Sequence, residues 1–256
     1  EYNETTAVAK YWKNGVAVAL TDGTKDSMAR AILVSGTDVY VAGSESSENY
    51  QVAKYWKNGV AVTLTDGSKN SFAKGIAISG TDVYVAGSES SENYQVAKYW
   101  KNGVAVSLTD GTKYSGADAI VVVGSDVYVA GHEDNGTKIV AKYWKNGTAV
   151  TLTDGTQESS CTSIFVSGSD VYIAGYEHNG TNSVAKYWKN CVSVDLTNGT
   201  KHAMARSIFV SGNDVYVAGF EYNETTAVAK YWKNGVAVDL TDGTQSAEAR
   251  SIFVVL

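Results

Sequence analysis

The sequence predicts an all-β repeat protein, and three observations carry that prediction. Trp12, Trp56, Trp100, Trp144, Trp188 and Trp232 recur every 44 residues inside Val-Ala-Lys-Tyr-Trp-Lys-Asn-Gly or a one-residue variant of it. Each period holds short runs of alternating apolar and polar residues, separated by Asn-Gly and Ser-Gly turn signals. A unit of this size cannot bury both faces of its strands alone, so it must stack against copies of itself.

The elements of one unit follow in order. Ile32-Leu33-Val34, the turn Ser35-Gly36-Thr37-Asp38 and Val39-Tyr40-Val41-Ala42-Gly43 make a hairpin of first and second strands. A polar loop, 44–51, leads to a third strand, Val52 to Trp56, and Lys57-Asn58-Gly59 turns the chain into a fourth, Val60 to Leu64. Thr65-Asp66-Gly67 opens the loop to the next unit. Four antiparallel strands therefore form one blade. The blade units fall at 29–66, 73–110, 117–154, 161–198 and 205–242, with a closing blade from 249–256 plus 1–22, all in one domain, 1–256.

An apolar strand, a turn, an Asp-Val-Tyr-Val-Ala-Gly strand and a strand ending in Lys-Asn-Gly resemble the blades of bacterial β-propellers of the NHL and related types. The resemblance covers the whole chain as a pattern of strands and turns. It implies a six-bladed β-propeller whose first strands line a central channel and whose fourth strands lie outermost. A solenoid is the structural rival, but it needs polar capping repeats, and the terminal units look like the others.

The period also exposes a deficit. Six units of 44 need 264 residues against 256 present, and the closing blade, built from both termini, lacks its second strand. Three readings stay open: a gap in that blade, a longer parent chain, which is favoured, or a strand donated by another molecule, including a strand-sharing dimer.

Composition removes several classes. With 44% apolar residues, 25 Gly and no Pro, the chain supports a large core without a disordered linker. A net charge of −6 with no Lys/Arg tract argues against nucleic acid. No apolar run reaches membrane-spanning length and no signal-peptide pattern opens the chain, so no membrane insertion is expected. Cys161 and Cys191 belong on opposite ends of one unit, which argues against a disulfide. They leave the compartment open, with a secreted or cell-surface location as the expectation. Of the Asn-x-Thr sequons at Asn3, Asn135, Asn146, Asn179, Asn198 and Asn223, four are Asn-Gly-Thr turns with a backbone reason to exist.

Constant polar residues read first as structure. Asp38, Asp82, Asp126, Asp170 and Asp214 open the second strands, while Lys57, Lys101, Lys145, Lys189 and Lys233 end the third. Antiparallel pairing predicts a cross-strand ion pair in each blade. Asp22, Asp66, Asp110, Asp154 and Asp242, with Asn198 in the remaining copy, sit in Thr-Asp-Gly turns, and the Asn suits a turn better than a metal site. No calcium loop and no cofactor motif is present.

Two rings of charge are candidate ligand-binding positions on the variable loop side. Arg30, Lys74, Asp118, Thr162, Arg206 and Arg250 precede the first strands, four of them basic. Glu1, Glu45, Glu89, Glu133, Glu177 and Glu221 follow the second strands. The structural reading pairs Arg30 with Glu45, and likewise in the other basic copies. The functional reading is a polar funnel for an anionic or hydroxylated ligand. A second candidate is the cluster Tyr176, His178, Phe220, Tyr222 and Tyr2, set where other units carry Ser44, Ser46, Ser88, Ser90, His132 and Asp134. Its rings would stack on a sugar face while Asn179 and Asn223 take its hydroxyls. Tyr55, Trp56 and their copies read as packing between blades.

Catalysis finds little support. His132, His178 and His202 occupy three different repeat positions, with no Cys or second His at metal-ligand spacing and no nucleophile turn or phosphate loop. The expectation is a non-catalytic binding module, multivalent for a carbohydrate or other surface ligand. The alternative is a structural or protein-interaction scaffold, amplified or designed, which the identity of 44–62 with 88–106 suits. A hydrolase or lyase ranks last.

Overall fold

The alternating runs of each repeat become strands, and the turns between them set their lengths. The computed structural model describes residues 2, 3 and 6–255, with side chains from Thr6 onward. Glu1 and Leu256, and the side chains of Tyr2 and Asn3, lie outside the described residues. The chain divides into two compact units, Glu1–Val129 and Ala130–Leu256.

The first unit begins with β1 (Tyr2–Asn3), β2 (Thr6–Ala7), β3 (Lys10–Lys13) and β4 (Val16–Ala19). One blade follows as β5 (Ser27–Ser35), β6 (Asp38–Ser46), β7 (Gln51–Lys57) and β8 (Val60–Thr63). The next is β9 (Ser71–Ser79), β10 (Asp82–Ser90), β11 (Gln95–Lys101) and β12 (Val104–Ser107), and β13 (Ser115–Val123) comes after it. β14 (Asp126–Asp134) holds the division between the units. The second unit continues with β15 (Ile139–Lys145) and β16 (Thr148–Thr151). Then come the blade β17 (Ser159–Ser167), β18 (Asp170–His178), β19 (Ser183–Lys189), β20 (Val192–Asp195) and the blade β21 (Ala203–Ser211), β22 (Asp214–Tyr222), β23 (Ala227–Lys233), β24 (Val236–Asp239). Five four-stranded antiparallel sheets keep this order, while β3 and β4 form a two-stranded sheet in the sixth blade position. This is the all-β architecture of a six-bladed propeller, written in blades at a 44-residue period.

First strands are longer than the three apolar residues that announce them. Each spans nine residues because a β-bulge inserts one extra residue near its start. In β5 the register passes from Ala29↔Gly43 to Ala31↔Ala42, leaving Arg30 unpaired. Lys74, Thr162 and Arg206 are the extra residues of β9, β17 and β21. The bulge explains the glycine that ends Asp-Val-Tyr-Val-Ala-Gly. A Cβ on Gly43 would stand 1.9 Å from the Met28 carbonyl oxygen and 3.1 Å from the Trp56 ring, and Gly87 meets Phe72 and Trp100 at the same distances.

Asn-Gly turns join third and fourth strands with both residues left-handed, as at Asn58 (φ 51°) and Gly59 (φ 83°). The asparagine does more than turn. Asn58 Oδ1 accepts from Val39 N at 2.9 Å and its Nδ2 donates to Asp38 Oδ1 at 2.8 Å, fastening the turn to the start of the second strand. Asn102, Asn190 and Asn234 do the same for their blades.

Blades stack through their apolar faces. In the first unit Tyr40, Ala42, Ala53 and Leu64 pack on Ala73, Ile76, Val83, Val85 and Trp100 of the next blade. In the second unit Tyr172, Ala174, Ala185 and Leu196 meet Ala205, Ile208, Val217 and Trp232 in the same way. Five of the six tryptophans are at most 1% exposed, which bears out the packing role. In four of the six copies a buried serine ties neighbouring blades. Ser71 Oγ accepts from Ala53 N at 2.8 Å, bonds Thr65 Oγ1 at 2.6 Å and donates to Gln51 O at 3.2 Å. Ser27, Ser115 and Ser159 repeat the bond to Ala9, Ala97 and Ala141 N.

The sixth position departs from the expected strand order. Residues 246–255 make no strand, although Ala249 N donates to Gly219 O at 3.2 Å, Ile252 N to Ser207 Oγ at 3.3 Å, and Phe253 packs edge-on against Phe209. Ser251 to Leu256 are the expected first strand of the closing blade; Leu256 lies outside the described residues, and Ser251 to Val255 pair with no strand among the described residues. In the first unit Ala9, Leu20 and Tyr11 stack on Val39, Val41 and Trp56.

Candidate functional site

The glutamate ring forms, but with partners other than those expected. Glu45 pairs with Lys54 of the third strand, and Glu89 with Lys98, Glu133 with Lys142, Glu177 with Lys186 and Glu221 with Lys230. Register is the reason. Glu45 stands opposite Val52 and Lys54 opposite Gly43, so the two are diagonal neighbours on one face of the sheet, over a residue with no side chain. The expected Arg30 to Glu45 bridge and its equivalents are replaced by these pairs. Glu1 falls outside the described residues.

Arg30, Lys74, Thr162 and Arg206 are bulge residues, and the last three reach sideways. Lys74 Nζ lies 2.7 Å from Asp118 Oδ1 of the next blade, and Arg206 lies 3.5 Å from Glu248. Thr162 Oγ1 donates to Ala205 O at 2.9 Å. Asp118 therefore answers Lys74. Arg250, 81% exposed at its side chain, shares Glu248 at 3.2 Å, and Arg30 is exposed. Within their units, Lys74, Arg206 and Arg250 are thus met by carboxylates, as the described glutamates are met by lysines.

The expected cross-strand pairs of Asp and Lys are present. Lys57, Lys101, Lys189 and Lys233 lie 2.8–2.9 Å from Asp38, Asp82, Asp170 and Asp214. Hydrogen bonds from Lys57 and Asn58 hold the Asp38 carboxyl below its ordinary range, and the other three aspartates follow. The Thr-Asp-Gly aspartates are turn residues. Asp22 Oδ1 accepts from Thr24 N and Oγ1, and Asn198 Oδ1 does the same with Thr200. Among the described residues no group of His, Cys, Asp and Glu is arranged to hold a metal ion. Cys161 is buried, Cys191 is exposed, and both are free thiols.

The aromatic cluster concentrates in the second unit, around a histidine that the spacing argument had set aside. His202, just before β21, lies 5.9 Å from the Phe220 ring and 5.7 Å from that of Tyr222, which are themselves 5.9 Å apart. Tyr222 N donates to His202 O at 2.8 Å, locking the two loops together. Burial, then His178 and Arg206, lower the His202 pKa from its ordinary value. Phe220, expected as an exposed platform, is 3% exposed and lies under the Arg206 guanidinium at 5.3 Å. Tyr176 and His178 are half-buried, and Tyr222 is exposed. The amides expected to meet a ligand are spent. Asn223 Oδ1 accepts from Thr225 and Thr226 N while Nδ2 donates to Gly243 O, and Asn179 closes its loop likewise.

Beside Tyr222 lies a pocket of ≈350 Å³ that the sequence did not single out, lined among others by Lys201, Glu221, Lys230 and Asp239. Lys230 sits 3.0 Å from both Glu221 and Asp239. Burial opposes its charge, yet the two carboxylates outweigh it and raise its pKa. Asp239 remains 60% exposed at its side chain. Lys186, Glu177 and Asp195 repeat this triplet in the preceding blade. The signal available in the sequence was the fourth-strand column, where Asp195 and Asp239 replace Ala19, Thr63, Ser107 and Thr151.

No family model matches the chain, and no curated protein matches it. Among solved structures, Pyrococcus horikoshii acylaminoacyl peptidase is 12% identical with a TM-score of 0.54, over 91% of this chain and 41% of that one. A structure from a study of two prolyl endopeptidases is 12% identical with a TM-score of 0.47, over 93% of this chain and 36% of that one. Bombyx mori GH32 beta-fructofuranosidase is 9% identical with a TM-score of 0.43, over 79% of this chain and 59% of that one. This chain therefore spans less than half the length of the peptidase chain, and the likeness to it is one of fold.

Proposed function

We propose that the protein is a non-catalytic binding module for a hydroxylated ligand, carbohydrate in class, taken up on the loop side of its second unit. The observation that carries this reading is the pocket at Tyr222, where an exposed aromatic ring borders Asp239 and the Lys230 ion pair. An apolar sugar face stacks on such a ring while vicinal hydroxyls donate to the carboxylate and accept from the ammonium. The triplet on Lys186 supports a second, similar site, so the valency is two and not six. Binding is preferred to hydrolysis because each described glutamate of the ring is neutralised by a lysine. The blade pattern also supports kinship with bacterial NHL-type and related propellers.

The test is a glycan array followed by calorimetry on the wild type, Tyr222→Ala and Asp239→Thr, the last copying Thr63. One sugar class bound by the wild type and lost about tenfold or more in both variants supports the reading. A silent array, or binding untouched by both changes, makes the scaffold reading the better one.

A further inference from the structure

We infer that the ligand met at Tyr222 carries a free ammonium among its hydroxyls, as an amino sugar does. The inference rests on the carbohydrate reading above and narrows its class.

The pairing of glutamate with lysine is complete without the residue that sets this site apart. Glu45 pairs with Lys54, Glu89 with Lys98 and Glu133 with Lys142. The fourth-strand residues opposite those lysines are Thr63, Ser107 and Thr151. In β24 and β20 the same place is taken by Asp239, opposite Lys230, and by Asp195, opposite Lys186. Each brings a second carboxylate, 3.0 Å from Nζ, to a lysine that already has one. The group so formed holds one cation and two anions, and the added anion is the one that faces water. The side chains of Asp239 and Asp195 are 60% and 59% exposed, against 20% and 21% for Glu221 and Glu177. An exposed partner added to a satisfied lysine contributes little to stability, so the fold does not call for it.

The rest of the lining keeps the excess negative. Asp242 lines the same pocket and is exposed, and the amide and hydroxyl of Thr244, both bonded to Oδ1, hold its carboxyl below the ordinary range. Lys201 is the other cation, so three carboxylates and two ammonium groups border the cavity. In the preceding blade Gln157 holds the repeat position of Lys201 and Asp154 that of Asn198. Tyr222, 37% exposed, adds a ring face, which attracts a cation as well as the apolar side of a sugar. A hydroxyl offers Asp239 a bond from a neutral donor, whereas an ammonium offers a bond between opposite charges and offsets the surplus anion.

The probes are glucosamine, N-acetylglucosamine and glucose tetramers of one linkage, titrated calorimetrically at about pH 6, where free amines are protonated. The expected result is that the glucosamine tetramer binds about tenfold or more tighter than the other two. That margin should vanish in Asp239→Asn and shrink as pH rises through the pKa of the ligand's amine. Asp239→Asn keeps the size of the side chain and leaves Glu221 on Lys230, and an unchanged urea midpoint checks that the fold is kept. Lys201→Gln, copying Gln157, should tighten the glucosamine tetramer about twofold or more. Equal binding of all three tetramers, lost in Tyr222→Ala, overturns the inference and leaves the carbohydrate reading standing, as does an array that reports neutral sugars alone. Glucosamine binding that neither Asp239→Asn nor Tyr222→Ala weakens is adsorption of a cation by an acidic protein, and overturns the inference too. If no tetramer binds and the array is silent, the carbohydrate reading fails and the inference fails with it.

Discussion

Replacing Ser71 by Ala tests whether the blades are fastened by single buried hydroxyls. Ser71 is fully buried, and its Oγ serves Ala53 N, Gln51 O and Thr65 Oγ1 together. Losing all three partners with nothing in their place would cost the desolvation of a buried amide, about 1–3 kcal/mol, on top of the bonds themselves. The protein contains its own control. Ala203 and Ala247 occupy the serine position in two copies, and there the third-strand amides turn to the neighbouring threonines, Ala185 N to Thr197 Oγ1 at 3.3 Å and Ala229 N to Thr241 Oγ1 at 3.2 Å. Ser71→Ala should therefore cost only about 1 kcal/mol, because Thr65 takes over the amide. Thr65→Val alone should cost about as much. The double variant should cost about 1 kcal/mol more than their sum, since Ala53 N is then stranded. Urea midpoints at constant slope measure all three, and Ala203→Ser should shift the midpoint upward. Additivity of the two changes within about 0.5 kcal/mol would refute the rescue and, with it, the account of the serine as a tie between blades.

Three further outcomes follow from local geometry. Cys191 holds φ 68° where the other turns have Gly, so Cys191→Gly should stabilise the protein by about 1 kcal/mol in urea, while Cys191→Ala, which keeps the Cβ, should change little. Gly87→Ala places a Cβ 1.9 Å from Phe72 O and 3.1 Å from the Trp100 ring, and should cost about 2 kcal/mol or more, with loss of near-ultraviolet dichroism from the buried tryptophan. His202 has a lowered pKa, so the folded chain binds fewer protons there than the unfolded chain below about pH 6.5. Stability should therefore fall as pH drops from about 6.5 toward the lowered value, and His202→Asn, copying Asn70, should flatten that slope between pH 7.5 and pH 5.5 in matched denaturation curves.

What could be read from the sequence separates by range. Turns and strand identity are local: Asn58-Gly59 demands left-handed backbone and Asp38 to Gly43 alternates, so blade, period and the Asp38 to Lys57 pair were all legible. Register is not local. The bulge at Arg30 lies in a stretch whose polarity reads as loop, so the first strand was read from Ile32 although it starts at Ser27, and Glu45 was matched to Arg30 although it stands opposite Ser27. The correct partner was nevertheless on view, since Glu45 and Lys54 are both constant through five units, and two constant opposite charges nine residues apart across a hairpin are natural partners. The converse argument underlies the proposed site. Columns that hold in every copy are consumed by the scaffold, as the glutamates are by lysines and the turn asparagines by backbone. The proposed site draws on the variable columns: Asp239, where other units have Ala19, Thr63, Ser107, Thr151 and Asp195, and Tyr222, where they have Tyr2, Ser46, Ser90, Asp134 and His178. Tyr222 and Asp239 line one pocket with Lys201, and His202 is tied to it through the backbone bond from Tyr222.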